Sequence, residues 1–365
     1  MFFPNKKQDL LLKASFLDNG EKYFSQWLQT YSENDFDYYT RAIIPSLLSA
    51  VSVEHYSKAI SDKLYEYKRQ TWLSNSCKYL KLKKIIDHLT SHNINMCILK
   101  GAAMMLFYYK DVSQRPSSSD VDILVKVNDL DKVMRVLKEN GFKPQNTFNW
   151  SSKEIENAVL EKNPILQTKH AIQYKNSDEM NIDIHWNLSP FLNPIRYEKI
   201  NGEMKCKSPY INILNVEMQL LHTIIHLVLD THKAQTMTGI IDVCFLFNKT
   251  NFSNDKLIFL SKEINALGIL NKALTIYKSY FDNKKYSCLR KKINIEMTYT
   301  DKVFSLLLFS KNFYIKKIGL FIFMLKENNF NLIEMWKKIK MHYGYKNFNK
   351  FIRYLFMIYI VGKRS

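Results

Sequence analysis

Few residues that interrupt regular structure are present: 9 glycines and 8 prolines in 365 residues. This scarcity favours long helices, and no internal repeat or low-complexity linker interrupts the chain. Five cysteines (Cys77, Cys97, Cys206, Cys244 and Cys288) lie far apart, are odd in number and form no CxxC pair. That excludes a structural zinc framework or a disulfide scaffold and fits a reducing compartment. Long apolar runs are missing too, because GLFIFML and YLFMIYIVG are too short to span a bilayer. MFFPNKKQDLLLKASF carries a proline and charges inside its apolar stretch, so it is not read as a signal peptide. A cytoplasmic protein with no transmembrane segment is expected.

Acidic residues are also in deficit, 34 against 53 Lys and Arg. Residues 251–365 hold 22 basic and 7 acidic side chains, the first 250 hold 31 and 27, so most of the +19 charge belongs to the last third. Such a field favours anionic partners such as nucleotides, nucleic acid or an acidic membrane surface, although a Lys-, Asn- and Ile-rich composition with a solvated face is the simpler account of it. With 46% hydrophobic residues the chain can bury a sizeable core in two or three units.

Apolar residues recur at three-to-four spacing through LLSAVSVEHYSKAISDKLYEYKRQTWLSNSCKYLKLKKIIDHL, so residues 1–93 are expected to be a helical N-terminal region. Residues 94–208 then read as a small α/β core. INMCIL is a short buried strand, AAMMLFYY helical, DVSQRPSSS a loop, and DVDILV a half-buried strand. NDLDKVMRVLKENG reads as a helix with Asn128 at its N-cap and Gly141 just past its end. KHAIQYK and NIDIHWNL flank a turn at NSDEM as two further strands. From VEMQLLHTIIHLVLDTH onward helical periodicity returns, which makes residues 209–365 a helical, basic C-terminal region.

Asp120 and Asp122 stand at i and i+2, so on a strand both carboxylates project from one face. Two such charges repel unless a cation lies between them, and oxygen ligands with few companions suit Mg²⁺. Gly101 follows a strand and precedes a helix, a turn that brings backbone N–H groups toward an anion. Arg115 offers a bidentate phosphate contact and Lys100 a second cation, while Ser117, Ser118 and Ser119 offer hydroxyls. Arg115 could equally pair with an aspartate. A third carboxylate is expected from a neighbouring strand, where Asp183 shares a face with His185 while Ile182, Ile184 and Trp186 occupy the other. His170 and Tyr174 are expected to line the same cleft. His222 and His226 lie one helical turn apart, but HTIIH lacks the glutamate of a zinc protease, so a packing role beside Asp242 is expected.

Gly101, the Asp120-Val-Asp122 pair and a later strand aspartate resemble the signature of the nucleotidyltransferase superfamily with the DNA polymerase β fold. LKGAAMM, YYKDVSQRPSSSDVDILV, IDIHWNL, LLHTIIHLVLDTHK and IIDVCFLF, in that order, resemble the bacterial uncharacterised nucleotidyltransferase family across residues 95–245. The resemblance implies an α+β fold, a small mixed-sheet polymerase β-like nucleotidyltransferase core flanked by helical N-terminal and C-terminal regions. It implies a metal triad of Asp120, Asp122 and Asp183, with Lys100, Gly101, Arg115, Ser118, Ser119 and His185 around the nucleotide. The chain departs from the superfamily in having Ala102 where Ser or Gly usually follows the glycine, and in its longer spacing from Gly101 to Asp120.

The implied enzyme is a Mg²⁺-dependent nucleotidyltransferase using two Mg²⁺ ions, or Mn²⁺, and an NTP, chiefly ATP, as co-substrate. It would move an NMP onto a hydroxyl or phosphate of a small molecule, sugar or peptide. Two other readings compete. One is a catalytically inactive nucleotide- or nucleic-acid-binding protein, suggested by the basic and aromatic stretches KKYSCLRKK and MWKKIKMHYGYKNFNKFIRY. The other is a DxD glycosyltransferase, which the helical character of residues 1–93 disfavours because no nucleotide-binding βαβ layout precedes the DxD.

Overall fold

The computed structural model of the chain describes residues 4–117, 120–146, 151–161, 170–188, 196–229, 233–299 and 301–302. Ser118, Ser119 and most of the basic C-terminal third, including MWKKIKMHYGYKNFNKFIRY, lie outside the described residues.

The N-terminal region is helical, as its periodicity predicts, except that residues 48–57, within the periodic run, form turns. Helix α1 (Lys6–Phe16) starts at a capping box, Asn5 and Gln8 each accepting the other's backbone N–H at 3.0 Å. Helices α2 (Gly20–Leu28) and α3 (Tyr38–Leu47) follow. They bury Leu11, Leu12, Phe24, Trp27, Ile43 and Ile44 completely, with Trp27 stacked on Phe36 at 5.0 Å. Helix α4 (Lys58–Ser91) has 34 residues and therefore runs about 50 Å.

Strand β1 (Met96–Ile98) leads into α5 (Lys100–Ala103), a single turn continued by a π-helical turn over Met104–Tyr108. Strand β2 (Asp120–Val125) is buried beyond its first residue. Helix α6 (Leu130–Glu139) begins one residue later than expected. Asn128 lies in a 3₁₀ turn, Val127–Asp129, and Asp129 takes the N-cap position. Gly141 does end the helix, at φ +78°, the left-handed conformation that glycine adopts at least cost. Next come β3 (Lys143–Pro144), α7 (Ser152–Leu160), β4 (Ala171–Lys175) and β5 (Asn181–His185).

Three strands escaped the sequence reading: the two-residue β3, and β6 (Met204–Ser208) and β7 (Ile211–Leu214), which are antiparallel to each other, with β7 parallel to β1. The sheet thus continues past residue 208 before the helices resume. Its seven strands run β3-β4-β5-β2-β1-β7-β6, a mixed sheet with helices before and after it in the chain. Helices α8 (Val216–Leu229), α9 (Lys233–Lys249), α10 (Asn254–Glu263), α11 (Leu267–Tyr277) and α12 (Asn283–Glu296) complete the described chain. Among the described residues no helix is long and apolar enough to cross a membrane.

The chain divides into two compact units, one of Met1–Asp122 with Glu203–Met297, the other of Ile123–Gly202 with Thr298–Ser365. In the first, Asn248 of α9 donates to the Phe16 and Tyr280 carbonyls, and Tyr280 donates to Asp9 at 3.0 Å, which ties the later helices to α1. In the second, α6 buries Leu130, Val133, Met134, Val136 and Leu137. There the β4–β5 ladder sets Ile172 opposite Ile184 and Tyr174 opposite Ile182. The KKYSCLRKK stretch lies in α12, where Lys292 pairs with Asp255 at 2.6 Å and Lys285 donates to the Phe247 and Thr250 carbonyls. Two of its lysines are therefore already engaged by groups of the same unit.

Candidate functional site

Where β1 ends, the Leu99 N–H donates to the Asp122 carbonyl at 2.9 Å, which sets the following turn against β2. Lys100 takes a left-handed backbone, φ +45°, uncommon for a residue with a side chain. Its Nζ stands 2.5 Å from Asp122 Oδ1, in a pair whose carboxylate is 5% exposed and whose lysine is 28% exposed. A charge-assisted bond of this kind compensates a carboxylate that burial would otherwise destabilise.

The glycine after Lys100 serves a close approach. A Cβ at Gly101 would lie 2.6 Å from Arg115 Nη2 and 2.9 Å from Arg115 Cζ, so only glycine leaves room for the guanidinium. The α5 turn is four residues long, too short to gather much of a helix dipole.

Arg115, expected to reach a phosphate, is buried. Its Nε donates to Asp242 Oδ1 at 3.0 Å, its Nη2 to Oδ2 at 2.8 Å, and its Nη1 to the Pro116 carbonyl at 3.1 Å. Burial works against the guanidinium charge, and the Asp242 carboxylate outweighs it, so the arginine stays cationic. Tyr109 stacks on Phe245 at 3.9 Å, and burial first, then the Asp242 charge, hold its phenol well above the ordinary range.

Helix α4 anchors the same loop from another direction. Asn75 Nδ2 donates to the Val112 carbonyl at 2.7 Å and the Arg115 carbonyl at 2.9 Å. Ser117 Oγ lies 2.9 Å from both Ser74 Oγ and Lys78 Nζ. Burial lowers the Lys78 amine below its ordinary value, the Arg115 charge adds to this, and Asp120 opposes it. Neither Asn75 nor Lys78 was singled out from the sequence. Both lie in an unbroken helical pattern, and only the path of the loop gives them a role.

In β4 and β5, Gln173 faces Asp183 and Ala171 faces His185 across the ladder, so Asp183 and His185 share a face as their spacing predicts. Tyr174 pairs with Ile182 on the opposite face and is fully buried, which removes it from the cleft expected for it. His170 precedes the strand, and its ring centroid stands 5.4 Å from that of His185. His185 is 1% exposed, while Asp183 is half-buried.

Asp122, Asp183 and His185 each offer one ligand atom, all within 4.8 Å of one another, and could hold a metal ion. Two carboxylates and an imidazole suit a divalent cation: the cation relieves carboxylate repulsion, and the nitrogen adds affinity for Mn²⁺ and later transition metals over Mg²⁺. Asp120, on the same face of β2 two residues earlier and half-buried, is not in that group. His222 and His226 of α8 meet edge to face with centroids 4.6 Å apart, and no metal-holding group includes them among the described residues.

The family described as uncharacterised nucleotidyltransferase matches residues 40–282. No curated protein and no solved structure matches the chain.

Proposed function

The chain belongs to the uncharacterised nucleotidyltransferase family, and from that premise we propose that it moves an NMP from an NTP, chiefly ATP, onto a hydroxyl or phosphate of a small molecule, sugar or peptide. The observation that carries this reading is the grouping of Asp122, Asp183 and His185 within 4.8 Å, in a chain of a family named for the transfer. Mg²⁺ is the proposed ion, with Mn²⁺ as the alternative that the His185 nitrogen favours. Bound at these side chains, divalent cations would neutralise the triphosphate and lower the pKa of the attacking hydroxyl.

The chain's own residues account for the rest. Asp122 and Asp183 supply the anionic oxygens and His185 a nitrogen. Asp120 would add a second carboxylate on the β2 face for a divalent cation that arrives bound to the triphosphate. Lys100, now paired with Asp122, exchanges that carboxylate for a phosphate oxygen when the nucleotide enters. Arg115 acts by position, because each of its three nitrogens already donates to Asp242 or to the Pro116 carbonyl. It holds the Gly101 turn and the loop leading to Asp120. The acceptor oxygen attacks the α-phosphorus in line, the bond to the β-phosphate bridging oxygen breaks, and pyrophosphate leaves. Asp183 accepts the acceptor's proton.

Calorimetric titration of ATP, GTP, CTP and UTP, with and without Mg²⁺, tests the reading with Asp122→Ala as control. Metal-dependent binding of one nucleotide, abolished by the substitution, is expected. A folded chain that binds none of the four rejects it.

A further inference from the structure

Helix α4 exposes more apolar surface than its own fold explains. Of the ten large apolar side chains exposed among the described residues, five lie on it: Tyr65, Trp72, Leu73, Tyr79 and Leu80, between 40% and 60% exposed. Between Tyr67 and Leu82 its one buried side chain is Asn75, a polar residue. The middle of a long helix thus turns its apolar side outward, the reverse of an ordinary surface helix.

The spacing is regular. Tyr65, Trp72 and Tyr79 recur every seven residues, as do Leu73 and Leu80. At 100° per residue all five fall within about 120° of the helix circumference. A sevenfold repeat keeps such a stripe facing one partner helix along its length.

The charges around the stripe say which partner. A two-fold axis passing between Trp72 and Leu73 sets Trp72 against Leu73 of a second copy, and Tyr65 against Leu80. The same axis brings Asp62 to Lys83 and Lys58 to Asp87, all four exposed. Each of these four pairs is apolar with apolar or acid with base, a single register produces them all, and Tyr79 falls opposite Glu66 at the edge of the stripe. We propose that α4 is a self-association surface, on which two copies of the chain pair antiparallel about this axis.

The area is consistent with a reversible dimer. Half-exposed side chains of this size present on the order of 100 Å² each. Five on each copy then bury on the order of 1,000 Å², near the lower limit for a specific interface. An interface at this lower limit suits a reversible pairing, which is independent of whether the chain transfers nucleotides.

Sedimentation equilibrium of the full chain tests this from 1 to about 100 µM. Twice the 43.3 kDa chain mass is expected at the upper end. Trp72→Glu with Leu73→Glu should weaken association at least 100-fold without altering circular dichroism or melting, since both side chains are exposed. Asp62→Lys should weaken it about tenfold, and adding Lys83→Asp to the same chain should restore it, because the exchanged charges meet again only in the antiparallel register. A chain that stays monomeric throughout, whether another segment, a nucleic acid or solvent covers the stripe, overturns the proposal. So does a dimer indifferent to the two glutamates, or a charge exchange that fails to restore pairing.

Discussion

Lys100 Nζ is 2.5 Å from Asp122 Oδ1, and that same carboxylate is one of three groups that could hold a metal ion. On the proposed function an internal cation and an incoming one would compete for one side chain. Lys100→Ala should tighten Mn²⁺ binding in the absence of nucleotide by several-fold to about tenfold, roughly 1 kcal/mol. The same substitution should weaken Mg²⁺-ATP binding, since the phosphate then has no lysine to meet. Calorimetry with the metal alone and with the metal–nucleotide complex separates the effects; a loss of both would show that Lys100 helps to build the metal site.

Asp120 and Asp122 share a strand face, yet only Asp122 belongs to the metal-holding group. Without nucleotide, Asp122→Ala should abolish Mn²⁺ binding, whereas Asp120→Ala should change it less than about threefold, under 1 kcal/mol. Replacing His185 by Gln should reduce the preference for Mn²⁺ over Mg²⁺, because the nitrogen donor is lost. Manganese electron paramagnetic resonance measures all three. Equal losses at both aspartates would place the first ion on the pair itself.

Gly101→Ala introduces a methyl group 2.6 Å from the Arg115 guanidinium. Arg115 cannot withdraw without breaking its bonds to Asp242, so overpacking should cost about 1–3 kcal/mol. Urea denaturation checks this, and a neutral outcome would mean that the loop shifts freely.

Asp242→Ala leaves a buried guanidinium with its carboxylate gone, which should cost about 3–5 kcal/mol. Replacing both partners, Arg115→Met with Asp242→Leu, should recover most of that loss, because no buried charge remains. A double-mutant cycle followed by chemical denaturation reads the coupling; additivity of the two single variants would show that the pair contributes nothing jointly.

Asp37 caps α3, accepting from the Thr40 N–H at 2.8 Å and the Thr40 hydroxyl at 2.7 Å, with Lys7 Nζ 3.0 Å away. Burial raises its pKa, but the Thr40 bonds and Lys7 together lower it further, so the net shift is downward. A carboxylate lowered in the folded state stabilises fully above its ordinary value of 3.8 and loses that contribution as pH falls through the folded value. Asp37→Ala should cost about 1 kcal/mol at pH 7 and progressively less toward pH 2, measured by thermal melts across that range.

Much of the architecture was legible in local pattern. Helical periodicity located the N-terminal helices, alternation located β2, β4 and β5, and Gly141 marked the end of α6. β6 and β7 were missed because MKCKS and INIL are short and lie next to a strongly helical stretch, where hydrophobic pattern alone does not separate a strand from a helix. Asn128 lost the cap position to Asp129 because a 3₁₀ turn precedes α6, and such boundaries depend on a few hydrogen bonds.

The sequence by itself determined which residues can share a face, because the two-residue period of a strand and the 3.6-residue period of a helix are set by backbone geometry. It paired Asp183 with His185, aligned Asp120 with Asp122, and spaced Tyr65, Trp72 and Tyr79. Only the tertiary structure decided which partners those faces meet. It turned Arg115 inward to Asp242, gave Gly101 to the guanidinium, brought Lys100 to Asp122, and drew Asn75 and Lys78 of α4 into the loop before the aspartates. Periodicity fixes a direction along one element, whereas the partner of a charge depends on residues far apart in the chain whose proximity arises only when the core packs.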